Sequence, residues 1–153
     1  IGDPEFLAFN REQFERLEVP PQIICFEITE TVAIANLTEA SRFINELKAL
    51  GCSFSLDDFC AGMSSFMYLK RLPVDYLKID GAFVRSLLDD AMDQAVVEFI
   101  SRAAALKGQH TVAEFVENAD IAAHLATLGV DFGQGYHLGR PKPLQDWLLP
   151  PGA

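Results

Sequence analysis

Acidic side chains in this sequence stand at the ends of short apolar runs, where a β-strand would stop. Asp57 and Asp58 close the run CSFSLDDF side by side. Two adjacent ionised carboxylates repel each other, and neither is favourable at the end of a hydrophobic strand. Divalent cations such as Mg²⁺, Mn²⁺ or Ca²⁺ would offset this cost, because they prefer oxygen ligands. The pair therefore raises the hypothesis of a metal site.

Four other apolar runs end in, or are followed by, polar residues in the same way. These residues are Glu27 and Glu30, Lys78 and Asp80, Glu114 and Glu117, and Gln134. Carboxylates from several strands can hold two cations about 4 Å apart, and such a pair binds the attacking and leaving oxygens of a phosphoester. Lys78 would orient or deprotonate water, or stabilise developing negative charge. The pattern indicates metal-dependent phosphoester hydrolysis.

Simpler interpretations of single residues stay open. Lys78 could do no more than balance the charge of neighbouring acids, and Glu27 could pair with a surface lysine. Glu114 and Glu117 could stand at the start of a helix, where the helix dipole favours negative charge. The whole set could also be a structural acid cluster. The three histidines lack metal-ligand spacing, so we expect His110, His124 and His137 to be structural or exposed.

Asp57 and Asp58 need a bend in the chain if they are to share one site. Adjacent side chains of a regular strand point to opposite faces. The following residues FCAG would supply the bend, because Gly62 can adopt unusual dihedral angles. We therefore predict that the strand ends there.

Five units of strand followed by helix must position these residues. The predicted strands cover residues 23–30, 52–59, 76–80, 110–117 and 130–139, and their interiors read as nearly continuous apolar runs. The predicted helices cover residues 3–17, 37–51, 64–71, 89–108, 118–129 and 143–149, with Asp89 or Asp90 as an N-cap and Gly51 and Gly108 as stops. This alternation predicts a parallel α/β fold, whose strands share one carboxyl edge.

Composition limits the classes of partner. With 153 residues and a formal net charge of −10, the chain suits one domain that does not bind DNA or RNA polymers, although metal ions could bridge it to a small phosphate ligand. Cys25 and Cys52 lie in apolar runs and are expected in the core. We see no membrane-spanning run or signal peptide, which favours a cytoplasmic domain, and a membrane-anchored parent protein stays open.

Four segments together resemble one known family. FEITET, LDDFCAGMSSFMYLKRLPVDYLKIDGAFV, TVAEFVEN and GVDFGQGYHLGRPKP are similar to the EAL domain, the cyclic-di-GMP phosphodiesterase family, and in particular to the EAL part of composite GGDEF–EAL signalling proteins. Two departures stand out. Cys60 occupies a position where the family usually has glycine, and AEFVE replaces the commoner AEGVE.

The resemblance implies a reaction and roles for these residues. The family opens cyclic di-GMP to linear pGpG with Mg²⁺ or Mn²⁺, and Ca²⁺ is expected to inhibit. The implied metal ligands are Glu27, Asp57, Asp58 and Glu114, with Asp57 bridging. Lys78 would position water with support from Asp80, and Glu30 would hold the loop after Asp58. Glu117 and Gln134 would complete the substrate and metal environment.

The resemblance also implies that part of the domain is missing. The family fold is a modified TIM barrel, whereas we count about five of eight βα units, without the strands that carry the Glu-Ala-Leu motif. We interpret residues 1–153 as the C-terminal portion of an EAL domain, an incomplete TIM-like (β/α) barrel. The exposed sheet edges of a partial barrel favour a homodimer. We expect the chain alone to hydrolyse poorly or not at all. A non-catalytic cyclic-di-GMP receptor, and an upstream GGDEF or sensory domain, stay open.

Overall fold

A computed structural model describes residues 3–59, 66–143 and 145–146 of the chain. In chain order, the helices and strands of these residues are α1 (Pro4–Leu17), β1 (Cys25–Thr29), α2 (Glu30–Ala35), α3 (Leu37–Lys48), β2 (Ser53–Phe59), α4 (Phe66–Leu69), β3 (Tyr76–Ile79), α5 (Gly81–Arg85), α6 (Ala91–Lys107), β4 (His110–Ala113), α7 (Ala119–Thr127) and β5 (Phe132–Gly133). A single 3₁₀ turn, Pro21–Ile23, precedes β1.

The strands form one parallel sheet in the order β1-β2-β3-β4-β5. Each strand pairs with the next one along the chain, as expected when successive βα units lie side by side. Within the described residues the sheet does not close, because β1 and β5 lie at its two ends. The parallel α/β fold is thereby confirmed as an open, incomplete barrel.

One face of the sheet packs against the helices. Phe54, Leu56, Leu77 and Ile79 point to this face and are almost fully buried. On the helix side, the buried residues include Ile44 and Leu47 of α3 and Val97, Ile100 and Ala104 of α6. An aromatic group reinforces one end, where the rings of Phe26 and Phe54 stack at 5.5 Å. This layer is the hydrophobic core of the described chain.

The other face of the sheet is polar among the described residues. Ser53, Ser55 and Asp57 alternate with the core residues of β2. Cys25 also lies on this face, on the edge strand β1, and it is exposed, whereas Cys52 is buried. The expectation of a core Cys25 was therefore wrong, because an apolar run does not reveal which face of a strand is covered.

Most predicted helices are present with small shifts. Asp90, not Asp89, caps α6 by accepting from the N–H groups of Met92 and Asp93, and Gly108 ends the helix at φ +67°. The short helices α2 and α5 were not predicted. Helix 64–71 is described only as α4, and helix 143–149 only at residues 145–146; Cys60 and Gly62 also lie outside the described residues. In the part of the chain described, no helix is both long and apolar enough to span a bilayer.

Candidate metal centre

A β-bulge brings Asp57 and Asp58 to the same site. From Leu56 to Phe59 the strand β2 has one residue more than the facing part of β3, where Leu77 and Ile79 are the partners. Asp58 takes up the extra residue with φ +55°, a left-handed conformation that Asp tolerates better than most residues. The bend therefore lies at Asp58 itself, before the FCAG segment that we predicted to provide it.

Lys78 lies at the centre of the carboxylates. Its Nζ is 2.7 Å from Glu114 Oε1, 2.9 Å from Asp57 Oδ1 and 3.3 Å from Glu27 Oε2. The side chain is only 7% exposed, whereas that of Glu27 is 54% exposed. The register explains the arrangement, because Lys78 is on β3, between β2 with Asp57 and the end of β4 before Glu114. Three acids from separate strands thus meet at one ammonium group.

The carboxylates keep the Lys78 amine protonated. Burial alone would lower the pKa of this amine, but the close contacts and negative charges of Glu114 and Asp57 outweigh it and raise the pKa above its ordinary value. Lys78 is therefore a cation at neutral pH, which suits it to orienting water better than to deprotonating it.

The donor set fits a hard divalent cation. One oxygen each from Asp57, Asp58 and Glu114 lie within 4.8 Å of one another. Oδ1 of Asp57 is buried and, among the described residues, has no hydrogen bond of good geometry, so its contact with Lys78 is an ion pair by distance. A buried carboxylate oxygen with spare acceptor capacity beside two further acids is suited to an oxygen-loving metal ion.

The turn after β4 connects the metal centre to a neighbouring cavity. Glu114 and Glu117 line this cavity of about 330 Å³ together with Phe115, Gln134, Gly135 and Tyr136. The Val116 N–H donates to the carbonyl of Gln134 at 3.0 Å. Gly135 is required for this approach, since a Cβ there would lie 2.3 Å from the backbone N and O of Val116. The acidic pair does not begin α7, whose N-cap is Asn118.

The two remaining predicted residues lie at helix starts. Asp80 caps α5, with Oδ1 accepting from the Ala82 N–H at 2.8 Å. Glu30 is buried at the beginning of α2. The loop that Glu30 was predicted to hold lies outside the described residues, so that role stays a prediction.

None of the histidines belongs to the carboxylate cluster. His110 Nδ1 lies 3.3 Å from Asp131, at the opposite end of β4, and the His137 N–H donates to the Val116 carbonyl. Sequence reasoning missed three neighbours of the site. The first is Ser55, whose buried hydroxyl lines a cavity together with Lys78. The other two are aromatic residues that contact arginines, Phe115 with Arg85 and Tyr136 with Arg140. Only cross-strand register and backbone angles reveal them.

Comparison with known proteins finds similarity to one family. The family model described as "EAL domain" matches residues 1–141. Among curated proteins, the chain is 46% identical over 147 residues to "Cyclic di-GMP phosphodiesterase PdeB" of Shewanella oneidensis, covering 96% of this chain and 17% of that protein. The chain spans about a fifth of the length of the curated relatives it matches.

Two solved structures share the fold. A structure described as EAL enzyme Bd1971 in its cAMP- and cyclic-di-GMP-bound form has a TM-score of 0.90 at 33% identity, covering 96% of this chain and 39% of that chain. The Klebsiella pneumoniae BlrP1 structure, described as a manganese and cy-diGMP complex at pH 9.0, has a TM-score of 0.81 at 27% identity, covering 88% of this chain and 34% of that chain.

Proposed function

This chain belongs to the EAL domain family, and from that premise we propose that its carboxylate cluster is part of the active site of a metal-dependent cyclic-di-GMP phosphodiesterase. The observation that carries the proposal is the meeting of Glu27, Asp57 and Glu114 at the Lys78 ammonium, with Asp58 beside them. The reaction would open cyclic di-GMP to linear pGpG. The relative named as such an enzyme, and the neighbours described with this ligand, support the substrate.

Some of these residues would hold cations, and Lys78 would orient water. Glu27, Asp57, Asp58 and Glu114 would hold Mg²⁺ or Mn²⁺, with Asp57 bridging. When bound, the ions supply the charge that activates water and stabilises the leaving oxygen. Lys78 would orient the attacking water by donating an N–H hydrogen bond.

Three further residues would support this site from its rim. Asp80 would fix α5 directly after the strand of Lys78, as its cap on the Ala82 N–H suggests. Glu117 and Gln134 would contact substrate in the cavity that they line. The role of Glu30 in holding the loop after Asp58 belongs to the proposal as well.

The proposed activity requires a complete domain. We propose that residues 1–153 form its C-terminal portion and that the chain alone is inactive or nearly so, because the sheet of the described residues does not close and the chain covers 39% of the Bd1971 chain. Turnover by the isolated chain at the rate of the parent protein would contradict this. An upstream GGDEF or sensory domain, a cytoplasmic location and inhibition by Ca²⁺ stay predictions; Ca²⁺ prefers more ligands and longer bonds than Mg²⁺.

Product analysis of the parent protein tests the function. We expect cyclic di-GMP to become pGpG only with Mg²⁺ or Mn²⁺ present. Asp57→Asn should reduce turnover by roughly a hundredfold or more, beyond what outer-shell substitutions cost. The matched control is Asp89→Asn, an exposed acid far along the chain from the cluster. Recovery of bound but intact ligand would instead identify a receptor.

We also propose a homodimer that packs along α6. Its outer face carries apolar residues spaced alternately by four and three positions, the seam of paired helices. They are Met92, Val96, Phe99, Ala103 and Leu106, of which Val96 also packs partly against the core. Met92 is 70% exposed and Leu106 is 90% exposed. A second copy of the same helix is the partner that such a repeat fits.

Light scattering tests the dimer. We expect twice the monomer mass for the parent protein, and a shift towards monomer in Leu106→Lys. Leu17→Lys is the control, because Leu17 is 58% exposed on α1. A monomeric wild-type protein, or equal effects of both variants, would contradict the proposal.

A further inference from the structure

Phe115, the residue between Glu114 and Val116, has a backbone conformation that its side chain disfavours. Its φ is +53°, in the left-handed region that bulky residues rarely enter. Such a conformation persists only where surrounding contacts impose it, and it is often found at functional sites. The contacts of Phe115 therefore need an explanation.

Two residues of α5 hold the Phe115 ring. The Arg85 guanidinium carbon lies 3.8 Å from the ring centroid, a cation–π contact. Gly81 packs so closely that a Cβ there would lie 2.0 Å from Cδ2 and 2.7 Å from Cγ of the ring. Gly81 and Arg85 are four positions apart, so they lie on one face of the helix. A side chain at position 81 and the ring at position 115 exclude each other.

This contact is one of three anchors of the turn that carries Glu114. On one side, the Glu114 N–H donates to the Ile79 carbonyl at 3.2 Å. On the other side, the Val116 N–H donates to Gln134 at 3.0 Å. Between these backbone bonds, the Phe115 ring packs on α5, and the Glu114 carboxylate lies 2.7 Å from Lys78.

We infer that Phe115 is a positioning residue, whose packing on Gly81 and Arg85 fixes the Glu114 carboxylate for metal binding. The inference rests on the proposed function and adds a steric coupling between positions 81 and 115. If Phe115 only covered α5, changes at these positions would alter stability and leave the metal affinity unchanged.

Mn²⁺ titration calorimetry of the parent protein tests the coupling. The variants are Gly81→Ala, Phe115→Gly and the double variant, and thermal melting of each monitors folding. Gly139→Ala is the control, because a Cβ at Gly139 meets nothing within 4 Å. Arg85→Gln removes the cation–π contact without adding volume, and serves if Gly81→Ala does not fold.

We expect Gly81→Ala to weaken Mn²⁺ binding by about tenfold, as other supports of metal ligands do. The double variant should bind Mn²⁺ with the same affinity as the single variant Phe115→Gly. Glycine at position 115 adopts the left-handed conformation freely and leaves room for the new methyl group at position 81. Arg85→Gln should weaken binding, and Gly139→Ala should not.

Three results would contradict the inference, and they are distinguishable. Unchanged Mn²⁺ affinity in Gly81→Ala or, if that variant is unfolded, in Arg85→Gln, would overturn it and leave the proposed function intact. Additive losses in the double variant would do the same. A wild-type parent protein that binds no Mn²⁺ would overturn the proposed function together with the inference.

Discussion

At the scale of single residues, Lys78 determines the electrostatics of the site. It is buried, and it contacts acids from β1, β2 and the end of β4. A buried charge is tolerated only when it is paired, so the lysine and the acids depend on each other. Metal ions would relieve the same repulsion among the acids, and we expect the ammonium and the metal to compensate partly for one another.

Lys78→Met should therefore destabilise the complete domain most when no metal is present. Without Lys78, the carboxylates repel one another in a partly buried site, and we expect the free energy of unfolding in EDTA to fall by roughly 3 kcal/mol. Mn²⁺ should recover more stability in this variant than in the wild type. Urea denaturation measures both values, with the exposed Lys70→Met as control. Equal losses in the two variants would contradict this prediction.

Asp131 should make stability depend on pH. Its Oδ2 accepts from the N–H and the hydroxyl of Thr111 at 2.8 and 2.9 Å. Partial burial alone would raise the pKa of this carboxyl, but these hydrogen bonds and His110 lower it below the usual value. A lowered folded pKa means that the contribution is present above about pH 4 and is lost as the pH falls through the folded pKa.

We expect Asp131→Asn to cost about 1 kcal/mol at pH 7, a small value because the side chain is partly exposed. The difference from the wild type should shrink as the pH falls below about 4, because the carboxyl of the unfolded chain is protonated there and that of the folded chain only at lower pH. Urea denaturation between pH 7 and pH 3 measures it. A difference that is constant over this range would show that Asp131 acts through its shape and not its charge.

At the scale of elements, the connector of residues 70–75, together with Leu69 at the end of α4, depends on side chains for its backbone hydrogen bonds. It lies between α4 and β3, and its carbonyls face the ends of α3 and α6. Lys107 donates to Leu69 and Leu72, Lys48 to Pro73, Gln109 to Val74, and Ser41 to Arg71. Irregular backbone needs such partners when it is partly buried. These bonds fix the position of the start of β3 relative to α3 and α6, and hence the position of Lys78.

Helix α6 offers a direct test of capping. Asp90 accepts from the N–H groups of Met92 and Asp93, whereas Asp89 has no such role in the described structure. Asp90→Ala should lower the free energy of unfolding by about 1 kcal/mol, and Asp89→Ala by much less. Thermal and urea denaturation of the pair measure the difference. Equal losses of stability in the two variants would show that Asp90 is not the residue that caps α6.

At the scale of the whole molecule, the polar face of the sheet would be the interior of the complete barrel. Cys25, Glu27, Ser55 and Lys78 share a cavity of about 280 Å³ on this face. In a closed (β/α) barrel such residues point inward and form packed layers. The carboxylate cluster lies at the carboxyl ends of the same strands, where barrel enzymes have their active sites.

Cysteine labelling tests this assignment. Because Cys25 is exposed and Cys52 is buried, a maleimide should label Cys25 faster than Cys52 in the isolated chain. The labelling is measured in a Cys60→Ser variant. In the parent protein the remaining strands should protect Cys25. Equal labelling of Cys25 in both proteins would show that this face is open in the complete domain as well.

The sequence alone determined the order of the five strands and the longer helices, and the acids at the strand ends. Apolar runs and caps are local signals, and parallel strands necessarily bring their carboxyl ends to one edge. It did not reveal which sheet face is covered, because Cys25 and Phe26 look alike in an apolar run. Only the tertiary structure placed Lys78 among three acids, put the bulge at Asp58 and packed Phe115 on Gly81. These features depend on register between strands and on backbone angles, which residues distant in the chain impose together.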